Sequence, residues 1–146
     1  MIDRFQGEYR WLSNFGEGGV WLDGIYYSYA EHAYQASKSV DPSVRVSVAA
    51  LNSPGEAKRA GRQLEARPDW EAVKKRVMLL VVLAKFIQNP ELQQKLIETG
   101  GHALVEGNTW HDNYWGNCVC DRCSEVPGAN WLGRILEHVR DVVTPD

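Results

Sequence analysis

Residues Ser28–Lys38 have the sequence SYAEHAYQASK and predict a helix with two unlike faces. Ser28 and Glu31 have the spacing of a capping box, so we expect the helix to begin there and to run to about Ser39. Small residues on one side allow close packing against neighbouring helices: Ala30, Ala33, Ala36 and Ser37. Polar residues follow the spacing i, i+3, i+4 and i+7 and therefore share another stripe: Glu31, Tyr34, Gln35 and Lys38.

The polar stripe is a candidate active site. Glu31 and Lys38 are separated by about 10 Å of helix rise, a span across which two long side chains can converge on one sugar. A structural interpretation is open as well, because Glu31 stands at the position of a capping box where a glutamate is useful. A polar stripe can also simply face solvent. The spacing alone leaves these interpretations side by side.

Start and stop signals place the other elements around this helix. Asp23-Gly24 between two apolar triplets predicts a two-residue β-hairpin. Caps and prolines predict helices over about residues 42–51, 54–62, 70–88, 90–99 and 131–143, and the apolar run 103–105 predicts a strand. The resulting fold class is α+β: a mostly helical single domain over residues 1–146 with a small antiparallel sheet.

The longest predicted helix has Asp69 as its expected cap and an apolar stripe at helical spacing. That stripe consists of Trp70, Val73, Val77, Leu80, Ala84 and Ile87. Residues 106–130 form a long irregular segment nearer the carboxyl terminus. Irregular segments of more than about 12–15 residues inside compact domains are usually functional or disordered. Because this one is rich in aromatic and polar side chains, we expect it to contribute to function.

The composition limits the classes of function. A net charge of −3 argues against bulk electrostatic attraction to nucleic acid, although a local phosphate-binding patch is compatible with it. No apolar run approaches the roughly 20 residues of a membrane span, so no membrane association is expected. The amino terminus lacks a basic-then-apolar leader and the three cysteines are an odd number. Both features predict a cytoplasmic protein, while the oligomeric state is not predicted.

Lys58, Arg59 and Arg62 form a candidate anion site on a short predicted helix. Ammonium and guanidinium groups in this arrangement can pair with a phosphate or a pyrophosphate. A solvated helix face is the commoner origin of such a run of charge.

The segment Cys118-x-Cys120-x-x-Cys123 offers three thiolates, and His111 stands seven residues upstream of the first. These four side chains have the chemistry of a tetrahedral structural zinc site. Against zinc, only one residue separates the first two cysteines, and no second cysteine pair follows. Free thiols in a reduced cytoplasm are therefore the expectation, so no cofactor is predicted and structural zinc is the alternative.

Several motifs, in order along the chain, resemble those of the YbiA-like, or NADAR, family. The pattern Glu31-His-x-x-Gln35-x-x-Lys38 is joined by Asp112–Gly116 (DNYWG) and Asn130–Gly133 (NWLG). Segments 5–15, 69–74 and 84–86 resemble the family as well, so the likeness covers about residues 5–143. It implies a YbiA-like fold and N-glycosidase activity. The implied substrates are ribosylamino-pyrimidine phosphates of riboflavin synthesis or ADP-ribose on guanine, which share a ribose C1 bonded to an amine outside the ring.

The resemblance also suggests roles for the site residues. Glu31 is the predicted acid/base, Lys38 the predicted nucleophile that forms a Schiff base, and Asp112 the residue that binds ribose hydroxyls or orients water. Direct displacement by the carboxylate pair Glu31 and Asp112 is the competing mechanism. Because a Schiff base requires a neutral amine, we expect Lys38 to be partly buried with a lowered pKa. The predicted substrate-binding residues are Asn14, Tyr34, Gln35, Arg62, Trp70, Tyr114, Trp115 and Asn130, with core packing as the favoured alternative for Trp70.

The predicted function is removal of ADP-ribose from ADP-ribosylated guanine in DNA or RNA. Hydrolysis of a small ribosylamine metabolite of riboflavin synthesis is the first alternative. A non-catalytic module that binds ADP-ribose and a zinc-stapled interaction domain are the other classes left open. The presence of both Glu31 and Lys38 favours an enzyme, since recognition alone does not need that pair.

Overall fold

The computed structural model describes residues 1–146 and has the predicted α+β fold, mostly helical with a small antiparallel sheet. The elements are a 3₁₀ turn Gly7–Leu12, β1 Val20–Leu22, β2 Ile25–Tyr27, α1 Ala30–Ala36, α2 Pro42–Ala49, α3 Pro54–Gln63, α4 Trp70–Gln88, α5 Pro90–Glu98, β3 Gly107–Asn108, β4 Asn117–Cys118 and α6 Trp131–Val143. None of the helices combines the length and the apolar character needed to cross a membrane.

The predicted hairpin is confirmed. β1 and β2 pair antiparallel with Val20 opposite Tyr27, and the two turn residues Asp23 and Gly24 have φ values of 51° and 80°. Two successive positive φ values are typical of the type I′ turn, which matches the right-handed twist of the strands. Val20 and Tyr27 are buried, so the hairpin is anchored by its open end.

Helix α1 is the centre of the fold, and it differs from the prediction at both ends. It ends at Ala36, and Lys38 lies in the following turn, where its backbone N–H donates to the carbonyl of Gln35. The predicted capping box is wrong, because Tyr29 is the cap residue and no side chain caps the helix. The carboxylate of Glu31 instead accepts a hydrogen bond from Gln35 Nε2 at 2.9 Å. The capping role that offered a purely structural explanation of Glu31 is therefore removed.

Helix α4 has the predicted bounds, and its predicted apolar stripe is buried in part: Trp70 is buried, and Val73, Val77 and Ala84 pack against the cores. Leu80 and Ile87 are about half exposed, whereas Met78, Val82 and Phe86 are buried. The reason is that α4 separates two cores: the larger lies toward α5 and α6, and the smaller lies toward the hairpin and α1. The buried surface is thus broader than a single stripe. The other buried residues of α4 are Trp70, Val81 and Lys85.

The expected cap residue of α4, Asp69, is in place, but its side chain does not cap the helix. Its two carboxylate oxygens accept from Arg67 at 2.6 and 3.0 Å. A bidentate partner of this kind competes for the oxygens that would otherwise cap the helix.

Lys85 is a buried residue of α4 that hydropathy does not predict. Its side chain is buried, and Nζ donates to the carbonyls of Trp11 at 2.7 Å and Ser13 at 3.0 Å. Desolvation lowers the pKa of this amine to about 7. These two hydrogen bonds fix the segment between the 3₁₀ turn and β1. That segment carries Asn14 and Phe15, which line the cavity described below.

The segment predicted as the strand 103–105 forms only a single parallel bridge, between Leu104 and Ile2. The irregular segment that follows is ordered by side chains bonded to the backbone. Asn130 has a left-handed φ of 52°; its Oδ1 accepts from the Glu106 N–H and its Nδ2 donates to the Leu104 carbonyl. A short parallel pair, β3 with β4, was not predicted. Two-residue strands carry no hydrophobic alternation that a sequence pattern can detect.

Candidate active site

One cavity of about 580 Å³ lies between α1, α3, the segment 5–15 and the segment 106–115. Its size is within the range of small-molecule sites, which are usually 300–1,000 Å³. The structure brings most of the predicted site residues to its walls. Those lining it are Asn14, Glu31, Tyr34, Gln35, Lys38, Arg62, Asp112 and Trp115.

Glu31 and Lys38 share this cavity, and burial acts on both ionisable groups. Glu31 is 7% exposed, and desolvation raises the pKa of its carboxyl, against the opposing effects of the Gln35 hydrogen bond and of Lys58 and Lys38. Desolvation likewise lowers the pKa of the Lys38 amine, with Arg62 and Lys58 acting in the same direction and Glu31 opposing. Each group is therefore shifted toward its uncharged form, a carboxylic acid and a free amine. The predicted partial burial and lowered pKa of Lys38 are both present.

Asp112 lines the cavity and also orders its own loop. One carboxylate oxygen, Oδ1, accepts from the N–H groups of Tyr114 at 3.1 Å and Trp115 at 2.9 Å. This is the turn-capping role that short acidic side chains often have in loops. The other oxygen, Oδ2, has no protein hydrogen bond, so it is available to a hydroxyl or a water.

Aromatic side chains form a connected wall behind Glu31. The ring of Tyr34 lies 5.6 Å from that of Trp115 and 5.3 Å from that of Trp70, measured between centroids. Burial raises the pKa of the Tyr34 hydroxyl, with Glu31 adding to the effect, so this phenol stays protonated at neutral pH. Trp70 packs in the core behind Tyr34 and does not line the cavity. This is the core packing favoured for it by the apolar pattern.

Two other predicted binding residues lie outside the cavity. Tyr114 faces α4, where the Nζ atom of Lys74 is 4.2 Å from its ring centroid. Asn130 uses its side-chain amide to hold the backbone of Leu104 and Glu106 together. Asn14, in contrast, lies on the wall: its carbonyl accepts from the Glu31 N–H and its Nδ2 contacts Met78 Sδ at 3.1 Å.

The predicted anion cluster lies on the same cavity. Lys58, Arg59 and Arg62 line it from α3, and Arg10 adds a guanidinium from the 3₁₀ turn. Arg10, Arg59 and Arg62 are exposed while Lys58 is half-buried, so the positive charge extends from the interior to the surface. This arrangement can receive a phosphate or pyrophosphate whose sugar reaches Glu31 and Lys38.

The sequence interpretation did not predict several lining residues, and Glu106 and Trp110 are two of them. Burial raises the pKa of Glu106 to about 7, with Asp112 adding to the shift and the Asn108 hydrogen bond opposing it. A lone glutamate after an apolar run carries no local signal, so only the fold shows its position. Trp110 lines the cavity and is 51% exposed. Its sequence setting, an aromatic residue among Asn and Asp, was the one indication available.

Next to this wall, four side chains form a cluster that can hold a metal ion. The imidazole of His111 and the thiols of the three cysteines bring their ligand atoms within 4.8 Å of one another. No two cysteines are joined in a disulfide.

Gly61 sets how closely α3 approaches α1, and its replacement by alanine provides a first test of the site. An added Cβ would lie 1.8 Å from Gln35 Oε1 and 2.5 Å from Gln35 Cδ. Gln35 would have to move, and with it the hydrogen bond that positions Glu31. We expect Gly61→Ala to destabilise the protein by about 1–3 kcal/mol and to reduce turnover by about tenfold or more. Thermal unfolding and steady-state rates measure the two effects.

The matched control is Gly55→Ala, in the first turn of the same helix. There the nearest atom to an added Cβ is Ser53 Oγ, at an ordinary 3.9 Å. Alanine is favoured over glycine in helices by up to about 1 kcal/mol, so this variant should be as stable as the parent or more stable. A Gly61→Ala variant that gains stability in the same way and keeps full turnover would contradict the close-packing argument.

Comparison with known proteins finds N-glycosidases among the relatives of this chain. A family model described as the NADAR domain matches residues 3–144. The chain is 34% identical to an N-glycosidase of Nostoc punctiforme, over 92% of this chain and 86% of that protein, and 35% identical to N-glycosidase YbiA of Escherichia coli, over 92% and 81%. The NMR structure of E. coli YbiA superimposes with a TM-score of 0.80 at 32% identity, covering 98% of this chain and 86% of that one. A riboflavin biosynthesis protein of Vibrio vulnificus is 33% identical over 89% of this chain and 34% of its own length.

Proposed function

Because this chain belongs to the NADAR domain family, we propose that it removes ADP-ribose from the exocyclic amine of ADP-ribosylated guanine in DNA or RNA. The chain is a hydrolase of N-glycosyl bonds, the activity named for its relatives in Nostoc and E. coli. The observation that supports catalysis over recognition is the joint burial of Glu31 and Lys38 on one cavity. A binding module gains nothing from an amine and a carboxyl that are both shifted toward their neutral forms.

In the mechanism that we propose, the glycosylamine first opens. The nitrogen lone pair forms a C1=N bond as the bond between C1 and the ring oxygen breaks, and the ring oxygen takes a proton from Glu31. The neutral amine of Lys38 then adds to C1. A proton passes from that amine to the departing nitrogen, with the Glu31 carboxylate as the relay. The bond between C1 and the base then breaks, which leaves an imine between C1 and Lys38 Nζ.

Water completes the reaction. It adds to C1 of the imine and loses a proton to the Glu31 carboxylate, which restores the acid used in the first step. The carbinolamine then collapses: its hydroxyl proton passes to the nitrogen, the bond between C1 and Nζ breaks, and Lys38 leaves as a free amine. The products are the base with its amino group restored and ADP-ribose as an aldehyde that recloses to the ring. Asp112 Oδ2 is available to orient that water or to hold the ribose hydroxyls. The competing mechanism, direct displacement with Glu31 and Asp112 as a carboxylate pair, forms no bond to Lys38.

Charge and aromatic surface support ADP-ribose as the sugar that is released. A pyrophosphate spreads two negative charges over neighbouring phosphates, and three cations of α3 line the cavity: Lys58, Arg59 and Arg62. Trp110 and Phe15 also line the cavity, and an exposed indole provides a stacking surface for a nucleobase. A substrate with two bases and a pyrophosphate uses more of these groups than a ribosyl monophosphate does.

The alternative substrate is a ribosylamino-pyrimidine phosphate, and the name of the Vibrio relative favours it. That substrate presents the same bond, a ribose C1 on an exocyclic amine, so it requires the same Glu31 and Lys38. Its single phosphate needs fewer of the cations on α3. The two substrates are therefore separated by what lies beyond the sugar.

The deciding experiment supplies both substrates to the purified protein. One is an oligonucleotide with ADP-ribosylated guanine, the other the ribosylaminouracil phosphate, and the released sugar is followed by mass spectrometry. We expect ADP-ribose to be released from the oligonucleotide at the higher kcat/KM, with Arg62→Ala raising KM for that substrate. Release from the small metabolite alone would assign the alternative. Release from neither, together with measurable ADP-ribose binding, would make the chain a recognition module.

A further inference from the structure

We infer that this protein binds one structural zinc ion through His111, Cys118, Cys120 and Cys123. The N-glycosidase chemistry does not use these side chains, and none of them lines the cavity. The cysteines are spread over only six residues, yet the fold brings a histidine from outside that segment to meet them. Three thiols and one imidazole form a donor set typical of structural zinc.

The distances fit a tetrahedral ion. With bonds of about 2.3 Å to sulfur and about 2.0–2.1 Å to nitrogen, the edges of a tetrahedron between sulfur and nitrogen are about 3.6 Å long. The Nδ1 atom of His111 lies 3.4 Å from Cys120 Sγ, 3.4 Å from Cys123 Sγ and 3.8 Å from Cys118 Sγ. All four ligand atoms lie within 4.8 Å of one another. A zinc ion therefore fits among them with small adjustments of the side chains.

The backbone around the cluster indicates which ligands are fixed by the fold. Cys118 is buried in β4, and its N–H donates to Asn113 Oδ1 at 2.8 Å. Cys120 and Cys123 are half-buried and lie in a turn in which the Cys123 N–H donates to the Cys120 carbonyl at 3.0 Å. His111 has a φ of 67°, which non-glycine residues rarely adopt. An ion would join the turn to β4 and hold His111 in this conformation.

Four protein ligands leave no open position, so the ion is structural and does not activate water. Its position still matters for the site, because His111 stands between two residues that line the cavity, Trp110 and Asp112. Zinc would thus stiffen this wall without entering the reaction. Zinc fits better than magnesium or calcium, since those ions prefer oxygen ligands.

The test measures metal directly and does not depend on the proposed activity. Protein produced in zinc-supplemented medium and freed of any affinity tag is analysed for metal content and thiol reactivity. We expect about one zinc per chain, three thiols that react slowly with a disulfide reagent, and rapid reaction of all three after a strong chelator. The chelated protein should lose about 5 °C or more in Tm and regain it with Zn²⁺ alone.

Variants of His111 separate coordination from folding. His111→Ala should lose most of the zinc, whereas His111→Cys offers a fourth thiolate and should retain it. The control His138→Ala removes an exposed histidine of α6 and should bind one zinc as the parent does. Cobalt(II) in place of zinc should give the visible spectrum of a tetrahedral thiolate site. Three results would overturn the inference. They are protein without zinc, thiols and Tm that do not respond to added Zn²⁺, and a mass lower by two hydrogens because two cysteines form a disulfide.

Discussion

Lys38→Ala should abolish turnover, with a fall in single-turnover rate of roughly a thousandfold or more. The imine mechanism has no substitute for this amine, since the only other lysine on the cavity wall, Lys58, belongs to a neighbouring helix. The only hydrogen bond of Lys38 Nζ is to the Gly61 carbonyl, at 3.4 Å, so its removal leaves no strongly bonded partner behind. Stability should therefore change little. Rapid-quench kinetics and thermal unfolding measure the two quantities.

Two further measurements identify the chemical role of the lysine. Lys38→Arg keeps a positive charge but cannot form an imine, so it should be as inactive as Lys38→Ala. Sodium borohydride added during turnover should reduce the imine and leave the sugar as a stable mass adduct on Lys38. Lys58→Ala should raise KM and still allow the adduct. Full activity of Lys38→Arg, or turnover without any trapped adduct, would instead favour direct displacement and make Lys38 a phosphate contact.

The sequence was most informative where local chain preferences determine the structure. The turn at Asp23-Gly24 has the two positive φ values that such a pair adopts most readily. Helices α4 and α6 have their predicted bounds because helical periodicity, and Pro90 at the end of α4, act over a few residues. The meeting of Glu31 and Lys38 in one cavity also follows from spacing, even though the helix ends before Lys38.

Local sequence patterns do not predict the side-chain positions that depend on residues far away in the sequence. Lys85 is buried because carbonyls more than 70 positions away accept hydrogen bonds from its amine, and no local sequence pattern predicts that contact. Glu106 reaches the cavity because Asn130, far along the chain, holds its backbone. Trp115 and Tyr114 are neighbours in one motif, yet only Trp115 lines the cavity. The loop that Asp112 orders determines which of these two adjacent aromatic residues faces the cavity.

The cavity holds two carboxyl groups with raised pKa values, and Glu31→Gln should distinguish them. Glutamine has the shape of the glutamate and accepts the same Gln35 hydrogen bond, but it cannot transfer a proton. We expect kcat to fall by about 10²–10⁴-fold, the usual contribution of a general acid or base. Glu106→Gln should stay within about tenfold of the parent. Loss in Glu106→Gln with activity retained in Glu31→Gln would exchange the two roles.

Glu106 has a second effect, on stability, which Glu106→Gln should reveal. The pKa of its carboxyl rises from 4.5 to about 7 on folding, so the folded protein binds the proton more tightly than the unfolded chain. Between those pH values, ionisation of Glu106 lowers the free energy of unfolding as pH increases. Glutamine cannot ionise, so the variant should be more stable than the parent by about 1–3 kcal/mol at pH 8, but not at pH 4. Urea unfolding at both pH values measures the difference, and equal curves at pH 8 would show that the carboxyl is already well solvated.

A gain in the stability of Glu106→Gln with little loss of turnover would mean that Glu106 destabilises the folded protein and serves a purpose other than the proton transfer assigned to Glu31. The hydrogen bond of Glu106 with Asn108, which also donates to the Asp112 carbonyl, indicates that this purpose is to shape the cavity wall.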